Sequence, residues 1–331
     1  MGRHVYNLFQ DITDFSQLRH SAKMAKKGIY LNQSVLSFWS ELELNLLLIQ
    51  KSLKNQSYQP KPYKEFILLD PKPRKIQAAD FIDRVVHHSL CKSLAPHFER
   101  SYLAHSFACQ KGKGNHKAIQ QVQRFSKKFS NGWFLKLDIR HCFESIHHQT
   151  LMKRIAGRIG CKHTLALIKT IVDHGGHQGK GLPIGNLTSQ HFANFYLDAV
   201  DHYCVEQHRI QGFVRYMDDI LLFSDSKEHL LEVLGDLTLW LPKMMHLQLK
   251  HNATQLHPVH HGIPFLGFRI FKNIVRFDQR RRKRFIKQWK SISKLPHLKQ
   301  PSHFNGLICW SEQANTRQLR QNLLSNDWLQ S

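Results

Sequence analysis

Two adjacent acids, Asp218 and Asp219, lie between two short apolar runs, and this arrangement restricts the fold more than any other feature of the chain. Phe213-Val214-Arg215-Tyr216 and Ile220-Leu221-Leu222-Phe223 have the length and composition of strands. Met217-Asp218-Asp219 fits the tight turn between them, after a break at Gln211-Gly212. The strands bury the surroundings of the turn, while repulsion penalises neighbouring carboxylates. A divalent cation removes that penalty. Mg²⁺ takes carboxylate oxygens together with substrate phosphates, and a pair of such ions stabilises both the attacking and the leaving oxygen of a phosphoryl transfer.

A third acid fits the same chemistry. Trp133-Phe134-Leu135-Lys136-Leu137-Asp138 reads as a buried strand ending in an acid, 80 residues before Asp218, with a helical pattern starting near His147. Charge points to a polyanionic partner. Against 24 Asp plus Glu the chain carries 48 Lys plus Arg, a net charge of +24, in an otherwise globular composition of 41% hydrophobic residues. Such a surplus opposes compaction unless a polyanion neutralises it, and nucleic acid is the default polyanion.

Other segments order the chain. Leu42, Leu46, Ile49 and Leu53 recur at helical steps within 15–55. The break Tyr58-Gln59-Pro60-Lys61-Pro62 precedes Phe66-Ile67-Leu68-Leu69 and the turn Asp70-Pro71-Lys72-Pro73-Arg74, which predicts a hairpin with a basic tip. Phe192, Phe195, Tyr196, Ala199, Val200 and Tyr203 form one stripe of a core helix. Phe265–Ile270 and Ile274–Phe277 predict a second hairpin around Lys272-Asn273, followed by a basic helix with Phe285, Trp289 and Ile292 on one face.

Tyr216-Met217-Asp218-Asp219 resembles the YxDD hairpin of reverse transcriptases, with Asp138 as the upstream acid, and the resemblance runs in order from about Tyr58 to Phe277. It implies an α+β fold, the right hand of fingers, palm and thumb, with an antiparallel palm sheet backed by helices and a helical thumb. The implied layout is an N-terminal helical extension over 1–55, fingers over 56–130 and the first catalytic palm strand over 131–146. Helices of fingers and palm follow over 147–180, the palm with its YMDD hairpin over 181–272, and a basic helical thumb over 273–331. Two Mg²⁺ ions, with Mn²⁺ as a substitute, are implied on Asp138, the Ile139 backbone carbonyl, Asp218 and Asp219. Phe143 matches the aromatic that excludes a sugar 2′-hydroxyl; Lys72 and Arg74 match basic residues that hold the incoming dNTP, and Arg is suited to bidentate phosphate contact. Lys250 falls where the family places a lysine near the pyrophosphate, and Phe265-Leu266-Gly267 matches the hairpin that supports the primer strand. Arg280, Arg281, Arg282 and Arg284 are expected to contact the RNA template and the DNA or RNA primer.

Leu182–Asn194 narrows the resemblance. Where related enzymes carry QGxxxSP, this chain has Ile184, Gly185, Ser189 and Gln190, an IGxxxSQ pattern that resembles diversity-generating retroelement reverse transcriptases. Pro71–Arg74 and Tyr102–His116 also resemble that family. Its members copy a template-repeat RNA with frequent errors opposite adenine, to diversify a variable protein gene, and work with a small basic accessory variability protein. Ile184, Gly185 and Gln190 then belong to the nucleotide site. No nuclease, integrase or maturase-like segment is expected after the thumb. Rival readings are a retron or group II intron-type bacterial reverse transcriptase, and a catalytically decayed RNA-binding protein, which the intact acids oppose. A Walker-type ATPase is excluded, because Gly179-Lys180 is followed by Gly181 and lacks the earlier loop glycine.

Six cysteines without a CxxC pair exclude a zinc ribbon or disulfide frame and read as reduced thiols. The doublets His87-His88 and His147-His148 read as surface or fingers residues. Asp11 and Asp14 occupy the place of a signal peptide's apolar stretch, and no apolar run is of membrane-spanning length, so a soluble protein in the cytoplasm of a bacterial or phage-infected cell is expected, with no membrane partner.

Overall fold

The computed structural model describes residues 7–28, 33–69, 73–293 and 300–328. From the amino end, helices α1 (Leu8–Thr13), α2 (Phe15–Lys26), α3 (Gln33–Ser40) and α4 (Leu42–Lys54) precede strands β1 (Lys64–Leu68) and β2 (Arg74–Ala78). Helices α5 (Phe81–Glu99) and α6 (Asn115–Lys128) lead to β3 (Trp133–Leu137). Four more helices follow: α7 (Cys142–Ser145), α8 (His148–Ala156), α9 (Lys162–His174) and α10 (Leu187–His202). The remainder is β4 (Gly212–Tyr216), β5 (Asp219–Ser224), α11 (Lys227–Met245), β6 (Gln255–Pro258), β7 (Ile263–Phe265), β8 (Phe268–Ile270), β9 (Val275–Phe277), α12 (Gln279–Ile292), α13 (Gln300–Ser311) and α14 (Arg317–Trp328). Two compact units result, each discontinuous in sequence rather than a run of consecutive segments.

The first unit comprises Met1–Leu103, Ile139–His202 and Leu237–Leu249. Helix α5 is its axis. Asp80 caps it by accepting the Ile82 N–H at 3.1 Å, and Val85, Val86, Leu90, Leu94 and Phe98 are buried against α1, α2 and α10. Phe98 stacks on Phe195 of α10 with ring centroids 4.2 Å apart. Polar bonds fix the amino-terminal helices in place: Gln17 donates to Ser93 Oγ at 2.8 Å and Ser89 donates to the Ile12 carbonyl at 2.7 Å. In α4 the expected stripe is present, with Leu46, Ile49 and Leu53 buried. After the proline-rich break, Tyr58 donates to Asp83 Oδ1 at 2.7 Å, and burial raises the pKa of both groups.

One histidine of each doublet, read as surface or fingers residues, is buried rather than at the surface. His87 is 2% exposed because α5 is enclosed by its neighbours, and burial pushes its pKa down to about 3. His148 is buried too, with Nε2 bonded to the Gly181 carbonyl at 2.7 Å. The β1–β2 hairpin pairs Leu68 with Arg74 and Lys64 with Ala78, and its apolar residues Phe66, Ile67 and Leu68 are all exposed.

The second unit comprises Ala104–Asp138, Tyr203–Asp236 and Lys250–Ser331. Its sheet has the order β4-β5-β3-β6, antiparallel throughout, so β3 is bonded on both sides. Helix α6 buries Ala118, Ile119, Val122 and Phe125 in a core shared with Phe134, Val214, Leu221 and Phe223. Phe265, Phe268, Ile270 and Val275 continue that core.

The expected second hairpin is a three-stranded sheet. Phe265–Ile270 does not run as one strand: Leu266 and Gly267 both take positive φ, 47° and 77°, and turn β7 back into β8 as a two-residue loop. Lys272-Asn273 then turns β8 into β9, so the expected start of the helical segment at 273 falls within this turn and the helix begins at Gln279. Asp278 caps α12 by accepting the Arg281 N–H at 2.6 Å, and Phe285 and Trp289 are buried with Leu307 of α13 and Leu323 of α14. Among the described residues no helix is long and apolar enough to cross a membrane.

Candidate active site

The three acids come together in the second unit. Leu137 and Ile220 form the last pair of the β3–β5 ladder, so Asp138 follows directly after β3 where Asp219 begins β5, and Tyr216 pairs with Asp219 across the β4–β5 hairpin. Paired and alternate residues share a face, which puts Lys136, Asp138, Tyr216 and Asp219 on one side of the sheet. Asp138, Asp218 and Asp219 are all half-buried. Lys136 Nζ lies 3.3 Å from Asp219 Oδ1. Lys250, expected near the leaving group, is joined to this strand end by its backbone, its N–H donating to the Asp138 carbonyl at 2.9 Å.

The turn itself is held from within. Met217 takes φ 54°, the left-handed conformation that a two-residue hairpin loop asks of its first residue and that methionine adopts at a cost. The Arg215 side chain, fully buried, donates to the Met217 carbonyl at 3.2 Å and to Ser106 Oγ at 3.0 Å. Backbone bonds join the same residue to a short edge segment: Arg215 N–H donates to the His105 carbonyl at 3.1 Å, and Phe107 N–H to the Arg215 carbonyl at 3.0 Å. Cys109 Sγ packs 3.8 Å from Met217 Sδ. Arg215 and Ser106 were absent from the expected site. A charged residue inside the apolar run Phe213–Tyr216 was the available signal, since a buried guanidinium requires partners.

Among the described residues no three His, Cys, Asp or Glu side chains converge as a closed metal cage. The donor set still suits Mg²⁺, which binds through one or two carboxylates and completes its octahedron with waters and substrate phosphates.

The first unit gathers most of the residues expected at the nucleotide. Gln77 N–H on β2 donates to the Ile184 carbonyl at 2.9 Å, Asn186 Nδ2 donates to the Gln77 carbonyl at 2.9 Å, and Ala79 N–H donates to Asn186 Oδ1 at 3.1 Å. Gly185 between them has φ 114°, and a Cβ there would lie 2.8 Å from Ile76 Cγ2. Leu182 N–H donates to the carbonyl of Phe143, whose ring position is only partly buried, at 2.8 Å. Thus Ile184 and Gly185 lie against β2, which begins with the exposed Arg74, while Phe143 is bonded to Leu182 just ahead of them. Gln190, on α10, is exposed and donates its N–H to the Asn186 carbonyl at 3.3 Å. Asn186, which bolts the loop to β2, was not among the expected residues. Lys72 lies outside the described residues. Ile139 is bridged to Leu249 while Arg140 N–H donates to the Gln248 carbonyl at 2.8 Å. In such a pair the Ile139 carbonyl points away from the Leu249 segment.

A family model described as reverse transcriptase (RNA-dependent DNA polymerase) matches residues 60–270. The chain belongs to the reverse transcriptase family. Protein YkfC of Escherichia coli K12 is 22% identical to it, over 84% of this chain and 86% of that protein. The group II intron-encoded protein LtrA of Lactococcus lactis subsp. cremoris is 25% identical over 171 residues, 48% of this chain and 28% of LtrA. Among solved structures, an apo telomerase from Candida tropicalis superposes with a TM-score of 0.52 at 13% identity, covering 71% of this chain and 60% of that one. That likeness identifies the α+β reverse transcriptase fold. The chain thus spans a little over a quarter of LtrA and less than two thirds of the telomerase.

The basic helix α12 divides by environment. Arg280, Arg282 and Arg284 are exposed. Arg281, expected with them as a template contact, instead folds over the β7–β8 turn: its guanidinium carbon lies 4.3 Å from the Phe268 ring centroid, and a Cβ on Gly267 would meet its Nε at 2.8 Å. Burial lowers its pKa. The absence of a side chain at Gly267 therefore leaves room for Arg281. Neutralising Arg280, Arg282 or Arg284 to Gln should weaken template–primer binding and reduce its log–log salt slope by roughly 0.7–0.9 each. Arg281→Gln should leave the slope intact and cost about 0.5–2 kcal/mol of stability. Equal salt slopes for all four variants in filter-binding titrations would show that the exposure pattern does not sort the contacts.

Gly185→Ala combines an unfavourable φ with a methyl pressed on Ile76, so it should lower stability by about 1–3 kcal/mol. Urea midpoints measure this. A wild-type midpoint would mean that the loop is not fixed to β2.

Proposed function

We propose that this reverse transcriptase is of the diversity-generating type, copying a template-repeat RNA into cDNA with frequent errors opposite adenine so that part of a variable protein gene is rewritten. The observation that carries this reading is the IGxxxSQ segment, Ile184, Gly185, Ser189 and Gln190, at the loop bonded to β2 through Gln77 and Asn186. Related enzymes place Gln where this chain has Ile184. A site that hydrogen-bonds its substrate rejects a wrong partner strongly, whereas an apolar wall separates similar shapes by only about 1–3 kcal/mol. Selection then rests on base pairing and packing.

In this reading the chain's residues act as follows. Asp138, Asp218 and Asp219 supply hard oxygen ligands on rigid strand ends, and Ile139 adds its backbone carbonyl. A pair of Mg²⁺ ions, when bound, stabilises the attacking 3′-oxygen and the leaving pyrophosphate. Phe143 excludes a ribose by bulk, Arg74 and Lys72 grip the triphosphate, and Lys250 lies toward the leaving group. RNA template, primer and dNTPs are the substrates, a small basic accessory protein is the partner, and the enzyme works in the cytoplasm.

A second reading, a group II intron-type reverse transcriptase, is favoured by the 25% identity to LtrA over 171 residues. Error spectra separate the two. Sequencing cDNA made on matched RNA templates should show misincorporation concentrated opposite adenine in the wild type, and Ile184→Gln should reduce that excess more than errors opposite other bases. No adenine excess in the wild type would favour the intron-type reading. An excess that Ile184→Gln leaves untouched would place its origin elsewhere in the pocket, with Gln190 the next residue to substitute.

A further inference from the structure

The Lys136–Asp219 ion pair has no part in the reaction as described above. Lys136 lies on the strand that is bonded on both sides, opposite Leu221 of β5 and Gln255 of β6. Its Nζ reaches diagonally to Asp219 Oδ1 at 3.3 Å, with side chains only 18% and 32% exposed. Diagonal neighbours across an antiparallel pair are within reach of a long side chain. The ladder on either side fixes the Lys136 backbone, which keeps its side chain within reach of the acid. Partial burial screens the pair less than a surface pair.

An ammonium beside Asp219 has two effects. It offsets part of the repulsion among Asp138, Asp218 and Asp219, which lets the strand ends hold three acids without a bound cation. It also engages the carboxylate that a divalent ion would use, and like charges repel, so it opposes ion binding there.

We propose that Lys136 is a positioning residue that holds Asp219 in the nucleotide-free enzyme and competes with divalent cation for it, so that full ion loading at this carboxylate waits for the triphosphate, whose negative charge favours the second cation. This rests on the reading of the three acids as ion ligands.

Mn²⁺ binding to the full chain, followed by electron paramagnetic resonance without nucleotide or template, tests it apart from activity. Lys136→Met should tighten Mn²⁺ binding by roughly two- to fivefold. Lys136→Arg, which keeps the charge, should stay at the wild-type affinity, and adding dNTP should shrink the gap between Lys136→Met and wild type. Where Lys136→Met does not fold, Lys136→Gln carries the same expectation. Unchanged Mn²⁺ affinity in a folded neutral variant overturns the proposal and leaves the pair a sheet contact. Asp218→Asn and Asp219→Asn separate the two levels: if both bind Mn²⁺ as wild type does, the acids are not the ion ligands. If they bind more weakly while Lys136→Met is unchanged, only the competition is wrong.

Discussion

Gathering carboxylates at one end of a partly buried sheet raises the energy of each ionised form, and only nearby positive charge or a rigid frame keeps them together. Here the frame is the four-stranded antiparallel sheet. Because β3 is bonded to β5 and β6, and β5 to β4, the positions of Asp138 and Asp219 are set by register. A one-residue slip would send both acids to the opposite face. Arg215 and Ser106 hold the turn from inside, and Lys136 holds Asp219 from beside it.

The other unit solves a different problem, fixing a loop that must lie close to a strand. Hydrogen bonds from both sides of Asn186 and the carbonyl of Ile184 join the loop to β2, and Gly185 removes the side chain that would otherwise strike Ile76. The result is a loop backbone held to Gln77 and Ala79 on either side of Gly185.

The acids were legible from sequence because their signal is local: strand-length apolar runs around a turn, with a third acid at another strand end. The helical stripes of α4 and α10 were legible for the same reason. Features that depend on partners distant in the chain were not. Arg281 reads as one more cation in a basic run, yet its position over Phe268 and Gly267 is set by the β7–β8 turn. That turn was hidden because leucine at 266 gives no sign of a positive φ. His87 sits beside His88 in a polar-looking doublet, and only the helices packed round α5 bury it. Arg215 is named by residues more than a hundred positions upstream, which periodicity does not reveal.

Catalysis by this chain rests on the three carboxylates, and RNA-templated primer extension tests them most directly. Wild-type chain with Mg²⁺ and dNTPs should extend a primer annealed to RNA. Asp218→Asn keeps the size of the side chain while removing a charged ion ligand, worth several kcal/mol of transition-state stabilisation, so incorporation should fall by roughly a hundredfold or more. Binding of the same template–primer should persist, since the basic surface is untouched. Extension by Asp218→Asn at the wild-type rate would contradict the assignment of these acids as the catalytic centre.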